Sequence, residues 1–146
     1  MFKHILISTD GSRVSNTAAR AGIALASALG AKVTAYYAVE PMQPIYIEGY
    51  TFDPHVLEDI ENNASQAGQK RVDAIGKMAK AAHVRFASVV APAPTAHEGI
   101  INAAKKWKCD VIFMASHGRR GLSKLIMGSV TQQVLTHSKI PVVVYR

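Results

Sequence analysis

The sequence predicts an α/β fold of three α/β/α layers on a five-stranded parallel sheet, ordered 3-2-1-4-5. Three observations predict it. Strand-like and helix-like segments alternate from end to end, giving five strands and four crossovers. Within residues 110–115, Val111-Ile112-Phe113-Met114 form a continuous apolar run, as expected of a central strand buried on both faces. Such alternation implies right-handed crossovers with helices on both faces, and two windings outward from the first strand give the stated order.

Each element has its own signal. Residues 3–9 carry Ile5-Leu6-Ile7 and read as a buried strand. Asp10-Gly11-Ser12 is a turn, and Ser12 can cap the helix after it. That helix runs to about Leu29, with Ala18, Gly22, Leu25 and Leu29 on one face, and Gly30 stops it. Residues 32–39 are β-branched and aromatic and form the second strand. Residues 40–54 are a long connection with Pro41, Pro44, Gly49 and Pro54. A long helix over 56–82 follows, with apolar contacts at Val56, Ile60, Ala64, Ala67, Val72, Ile75 and Ala79; Gly68 and Gly76 weaken its uniformity. Residues 84–90 are the third strand, and Ala91-Pro92-Ala93-Pro94 breaks the chain. Thr95 caps a helix to Trp107, with Glu98 completing a capping box. After the apolar fourth strand, residues 116–127 are a basic, glycine-containing loop, 128–137 a short helix and 141–145 the last strand.

With 146 residues, 49% of them hydrophobic, the chain suits one domain spanning 1–146 with a sizeable core. No apolar run approaches the ~18 residues of a membrane span, and the apolar start is too short for a signal-peptide core. One cysteine, Cys109, excludes an internal disulfide and a cysteine-based zinc site. The expectation is a soluble, cytoplasmic protein. Its net charge of +7 is unevenly placed. Residues 1–100 balance to zero, whereas the rest carry eight basic residues against Asp110 alone. A localised field of this kind favours an anionic partner, or serves only as a solvated basic face.

Ligands of such sheets bind beyond the carboxyl ends of the strands, where the winding reverses. Here that lies between strands one and four, which end in Thr9-Asp10-Gly11 and Ala115-Ser116-His117-Gly118. With nine residues intervening after Gly118, Gly128-Ser129-Val130-Thr131 opens a helix. Glycines permit close approach, and free N–H groups with the positive end of the helix dipole attract phosphate. Ser129 and Thr131 add hydroxyls, and Arg119, Arg120 and Lys124 are close in sequence. Ser129-Val130-Thr131-Gln132 equally fits a plain capping box that needs no ligand. The motif is neither a Walker loop nor Gly-x-Gly-x-x-Gly.

Ile7-Ser8-Thr9-Asp10-Gly11-Ser12, Met114-Ala115-Ser116-His117-Gly118, Gly128-Ser129-Val130-Thr131 and Ile140-Pro141-Val142-Val143-Val144 together resemble the universal stress protein family over essentially the whole chain. The resemblance implies a Rossmann-like sheet, a homodimer through the last strand (Val142, Val143, Val144) and, in the ATP-binding branch, a nucleotide held by Gly-x2-Gly-x9-Gly-Ser/Thr. Carried onto this chain, Asp10 beside Ser8 and Thr9 would meet ribose, adenine or a bridging magnesium ion. Ala38 would line the adenine through its backbone. Met114, Ala115, His117, Gly118 and the neighbouring Arg119 would flank ribose and phosphates, and Gly128, Ser129, Val130 and Thr131 would cradle the phosphates. Ala115 replaces the pattern's first glycine. Its methyl would crowd the ligand, or be harmless if the backbone there is ordinary β.

Other residues point less far. Asp10 has an alternative role as a cap of the first helix. The six histidines show no zinc-site spacing, and His117 is a ligand contact without a named catalytic partner. Cys109 reads as a packed residue entering strand four. Tyr46, Tyr50 and Phe52 either stack on a base or pack on the second helix, and Lys105, Lys106 and Lys108 suit a helix C-terminus. An apolar last strand beginning at Pro141 fits a sheet edge, where pairing with a second copy is physically motivated. The expected function is ATP binding by a stress-response sensor or regulator with at most slow hydrolysis. Its rivals are a dimeric scaffold without nucleotide, an ATP-hydrolysing or adenylyl-transfer enzyme, and, least favoured, a nucleic-acid binder.

Overall fold

Parallel pairing of five strands sets the frame of this computed structural model, which describes residues 1–41, 53–118 and 127–146. The elements in chain order are β1 (His4–Ser8), α1 (Arg13–Leu29), β2 (Lys32–Val39), α2 (Pro54–Ala81), β3 (Phe86–Pro92), α3 (Ala96–Lys106), β4 (Val111–Ala115), α4 (Ser129–His137) and β5 (Val142–Tyr145). The sheet order is β3-β2-β1-β4-β5, as the alternation predicts, and every pairing is parallel. β1 and β4 are buried along their whole length. Their alternating side chains feed two cores. Ile5, Ile7, Val111 and Phe113 meet α1 and α2 on one face, while Leu6, Ile112 and Met114 meet α3 and α4 on the other.

The local signals behave as their chemistry dictates. Ser12 caps α1 by accepting the Ser15 N–H at 3.1 Å, and Gly30 closes it in the left-handed region at φ +63°. Thr95 caps α3 by accepting the Glu98 N–H at 3.4 Å. The buried face of α1 is wider than the predicted stripe: Ala19, Ile23 and Ala26 join Ala18 and Gly22, while Leu25 and Leu29 are half-buried.

Three sequence expectations need correction. The second helix starts at Pro54, capped by Asp53, because proline suits the first turn, where its missing N–H costs nothing. Its buried residues are Gly68, Val72, Ile75 and Ala79, so Val56, Ile60, Ala64 and Ala67 are not core contacts; Val56 is 45% exposed. The cause is length: 28 residues of helix span about 42 Å. The strands beneath, of eight and seven residues, span only about 25 Å. Gly68 and Gly76 do not break the helix, since a Cβ at either would collide with the rings of Tyr37 and Phe86. The third strand runs from Phe86 to Pro92 rather than 84–90, with Pro92 opposite Val39. Proline is admitted there because β3 is an edge strand. Ser129 does not occupy the cap position: it is the first residue of α4, the cap is Gly128, and among the described residues no side chain caps the first turn.

At the amino end of the sheet, His4 is buried. Its Nε2 pairs with the Thr34 hydroxyl at 2.8 Å, and its Nδ1 has no partner. Burial, with Lys32 nearby, holds this imidazole below its ordinary value of 6.5. In the unfolded chain the ring takes up a proton near pH 6.5; in the fold it resists until lower pH. Between these points the unfolded state binds more protons, so stability falls as pH drops below 6.5. Urea unfolding should show a lower midpoint at acid than at neutral pH, with a shallower dependence in His4→Gln. An equal dependence in both proteins would remove His4 from the account.

Candidate functional site

The winding reverses between β1 and β4, and a cavity of about 710 Å³ opens at their carboxyl ends. That size suits a small ligand or cofactor. Of the residues assigned to the site from sequence, Ser8, Thr9, Asp10, Ala38, Met114, Ala115, His117, Gly118, Gly128, Ser129, Val130 and Thr131 all line it. Arg119 lies outside the described residues, as do Arg120, Lys124, Tyr46, Tyr50 and Phe52.

The β1 side is a rigid turn. Thr9 donates its N–H to the Tyr36 carbonyl at 3.0 Å, and its hydroxyl accepts the Gly11 N–H at 3.0 Å while sharing a bond with Ser15 Oγ at 3.1 Å. Asp10 Oδ1 accepts the Ser12 N–H at 2.9 Å, so the carboxylate does help to order the start of α1. Its other oxygen lies against Gly118, where an added Cβ would collide with it.

The β4 side meets α4 in the same way. Gly128 donates its N–H to the Ser116 carbonyl at 2.8 Å, and a Cβ there would come within 3.1 Å of His117 Cα. The buried Thr131 hydroxyl donates to the Ala115 carbonyl at 2.9 Å, locking the first turn of α4 onto the end of β4. Gly118 and Gly128 are thus required by the close approach of two loops, and neither has a positive φ. Ser129, Val130 and Thr131 open α4 towards the cavity with no side-chain cap, leaving a helix N-terminus suited to anions. His117 Nδ1 is bonded to Ser116 Oγ at 3.0 Å.

Ala115 is ordinary strand, and its methyl packs into the core on the α1 face. Sequence reasoning missed Tyr36, Tyr37 and Glu40 at the end of β2, Ala96 and Ile100 on α3, and Met127 and Gln132 around α4. The signal for the first group was present: the predicted order places strand two beside strand one, so its carboxyl end must also face the crevice.

The described residues contain no cluster of three His, Cys, Asp or Glu able to hold a metal. Asp10 is one hard oxygen donor, which fits magnesium only as part of a set completed by phosphates and water. Cys109 is buried, and burial, reinforced by Asp110, pushes its thiol up to about 11, so it is no thiolate nucleophile at neutral pH.

Comparison with known proteins adds the lineage. The universal stress protein family model matches residues 1–146. The chain is 32% identical to the Methanocaldococcus jannaschii universal stress protein MJ0531, over all of this chain and 83% of that one. The solved structure of MJ0577 from the same organism superposes with a TM-score of 0.83 at 24% identity, covering 99% of this chain and 95% of that one. A universal stress protein solved in complex with cAMP superposes with a TM-score of 0.71 at 20% identity, covering 99% and 97%. At such identities the two structures testify to the fold alone. No helix among the described residues is long and apolar enough to cross a membrane. The family match over all 146 residues, with the 32% identical relative, makes the chain a member of the universal stress protein family.

Proposed function

We propose that this protein binds ATP in the β1/β4 crevice and acts in the cytoplasm as a one-domain stress-response sensor or regulator, with hydrolysis at most slow. The observation that carries the reading is the first turn of α4, without a cap from Gly128, lining the same cavity as Asp10. The lining of that cavity is of two chemical kinds. Ala38 with Tyr36, Ile100 and Met114 supplies apolar lining suited to adenine, while the amides of Ser129, Val130 and Thr131 supply lining suited to phosphate. Asp10 lies where ribose hydroxyls or a nucleotide-bound magnesium ion would be met. The universal stress protein solved with cAMP lends support, since that protein holds an adenine nucleotide. Ala115 raises no obstacle to this reading, because its methyl belongs to the core.

Nucleotide released from the purified, acid-denatured protein, followed by calorimetric titration with Mg-ATP, tests the proposal. Bound or micromolar ATP is expected, lost in Gly128→Val and weakened in Asp10→Ala when magnesium is present. Absence of heat at millimolar ATP would overturn it and leave the dimeric scaffold as the better reading.

The same proposal includes a homodimer through β5. This strand ends the sheet, and Pro141 and Tyr145 turn their carbonyls inward to β4. By alternation the backbone groups of Val142 and Val144 point outward, a row open to pairing with a second copy. Val143 packs beside them, and Val130 and Leu135 add exposed apolar surface on α4. Sedimentation velocity should give a dimer at micromolar concentration and a monomer for Val144→Pro, which removes an outward N–H. A wild-type monomer would refute the interface.

A further inference from the structure

Arg71 of α2 reaches out of its helix into the turn that follows β1. Its Nη1 donates to the Asp10 carbonyl at 3.0 Å and to the Tyr37 hydroxyl at 2.7 Å, and the guanidinium carbon lies 5.1 Å from the centre of the Tyr37 ring. The stem of Arg71 covers Gly11 so closely that a Cβ there would collide with it. Gly11 has φ +77°, a conformation that favours glycine and leaves the turn without a side chain of its own to hold it. Tyr37 is itself seated: its ring lies against Gly68 of α2, where a Cβ would not fit.

We propose that Arg71 is a positioning residue of the nucleotide site, fixing the peptide between Asp10 and Gly11 and through it the Asp10 carboxylate. This rests on the nucleotide-binding reading above. That peptide is tied at both ends, its carbonyl to Arg71 and its N–H to the Thr9 hydroxyl. With the plane held, Asp10 Oδ1 reaches the Ser12 N–H and the other oxygen lies on Gly118, at the wall of the cavity. Without the guanidinium the carbonyl must seek water. The glycine, with the least steric restraint of any residue, lets the plane rotate and carry the carboxylate away. Arg71 does not need to touch the ligand to act. It makes the geometry of the β1 turn depend on where α2 sits, and so links the far helix of this face to the site.

The test is a double-mutant cycle on Mg-ATP affinity with Arg71→Met, which keeps most of the apolar stem and removes the donors. Loss of a charge-assisted hydrogen bond should weaken binding by about tenfold in the wild-type background. In Asp10→Ala it should cost nothing further, because the carboxylate it orients is gone. Arg71→Lys, which can still donate to the Asp10 carbonyl, should recover part of the loss. Equal losses in both backgrounds would reduce Arg71 to a structural role, and unchanged affinity would overturn the proposal. Amide exchange in the nucleotide-free protein separates this idea from the binding reading. Gly11 and Ser12 should exchange about tenfold faster in Arg71→Met, with β4 unchanged. Should wild type bind no ATP, the binding reading fails and the exchange result still decides Arg71: unchanged protection there would sink the proposal.

Discussion

The contact between the Asp10 carboxylate and the backbone of Gly118 is the constraint from which the site follows. β1 and β4 are hydrogen-bonded neighbours, yet the helices after them leave on opposite faces, α1 to one core and α4 to the other. Chains that diverge this way leave a crevice between their first turns. Its floor is closed only because Gly118 lets an oxygen of Asp10 approach, and because Gly128 lets its own backbone cross His117. Larger residues would separate the two turns, and α4 would then no longer present its first amides to the opening.

Those glycines show how an architectural and a ligand-binding explanation meet in one residue. In the sequence they read as space left for a phosphate. In the structure the space is taken by the protein's own backbone and by Asp10, and what is offered outward is the uncapped turn of α4. The packing reason alone would be satisfied by a helix capped by its own side chain. Gly128 instead provides no cap, and Thr131 turns its hydroxyl back to Ala115 rather than to the amides. The helix N-terminus is therefore held in place without a side-chain cap among the described residues, an arrangement that water or an anion can complete.

Strand order was legible from the alternation of elements and the hand of their crossovers, and the buried central strands from local composition: Ile5-Leu6-Ile7 and Val111 to Met114 can only be interior. The site was legible at β1, β4 and α4, where glycine, Asp10 and spacing coincide. It was less so at β2, where Tyr36 and Tyr37 resemble any aromatic strand residues and only the place of β2 beside β1 in the strand order brings them to the crevice. The reach of α2 past the sheet was also hidden. Val56 and Ile60 carry the helical period as faithfully as Val72 and Ile75, and period does not say how much sheet lies underneath. Arg71 was invisible for a related reason: its bond to Asp10 spans 61 positions, and nothing local marks that guanidinium among the other cations of the helix.

The opposite end of the sheet shows what the binding end is not. His4, Cys109 and Asp110 stand together there, a triplet that in isolation invites a catalytic or redox reading. Each is consumed by structure. Asp110 accepts the Lys3 N–H at 2.8 Å and the His4 N–H at 3.2 Å, fastening the start of β1 to the start of β4. His4 spends Nε2 on Thr34, and burial holds its ring in the neutral form. The Cys109 thiol, pushed up to about 11, keeps its proton across the neutral range. At the amino ends the imidazole and the thiol are thus held neutral by burial, and Asp110 is spent on two backbone amides. At the carboxyl ends Asp10 is also bonded, to the Ser12 N–H, but it stands at the wall of an open cavity, and that openness is what separates the two ends of the sheet.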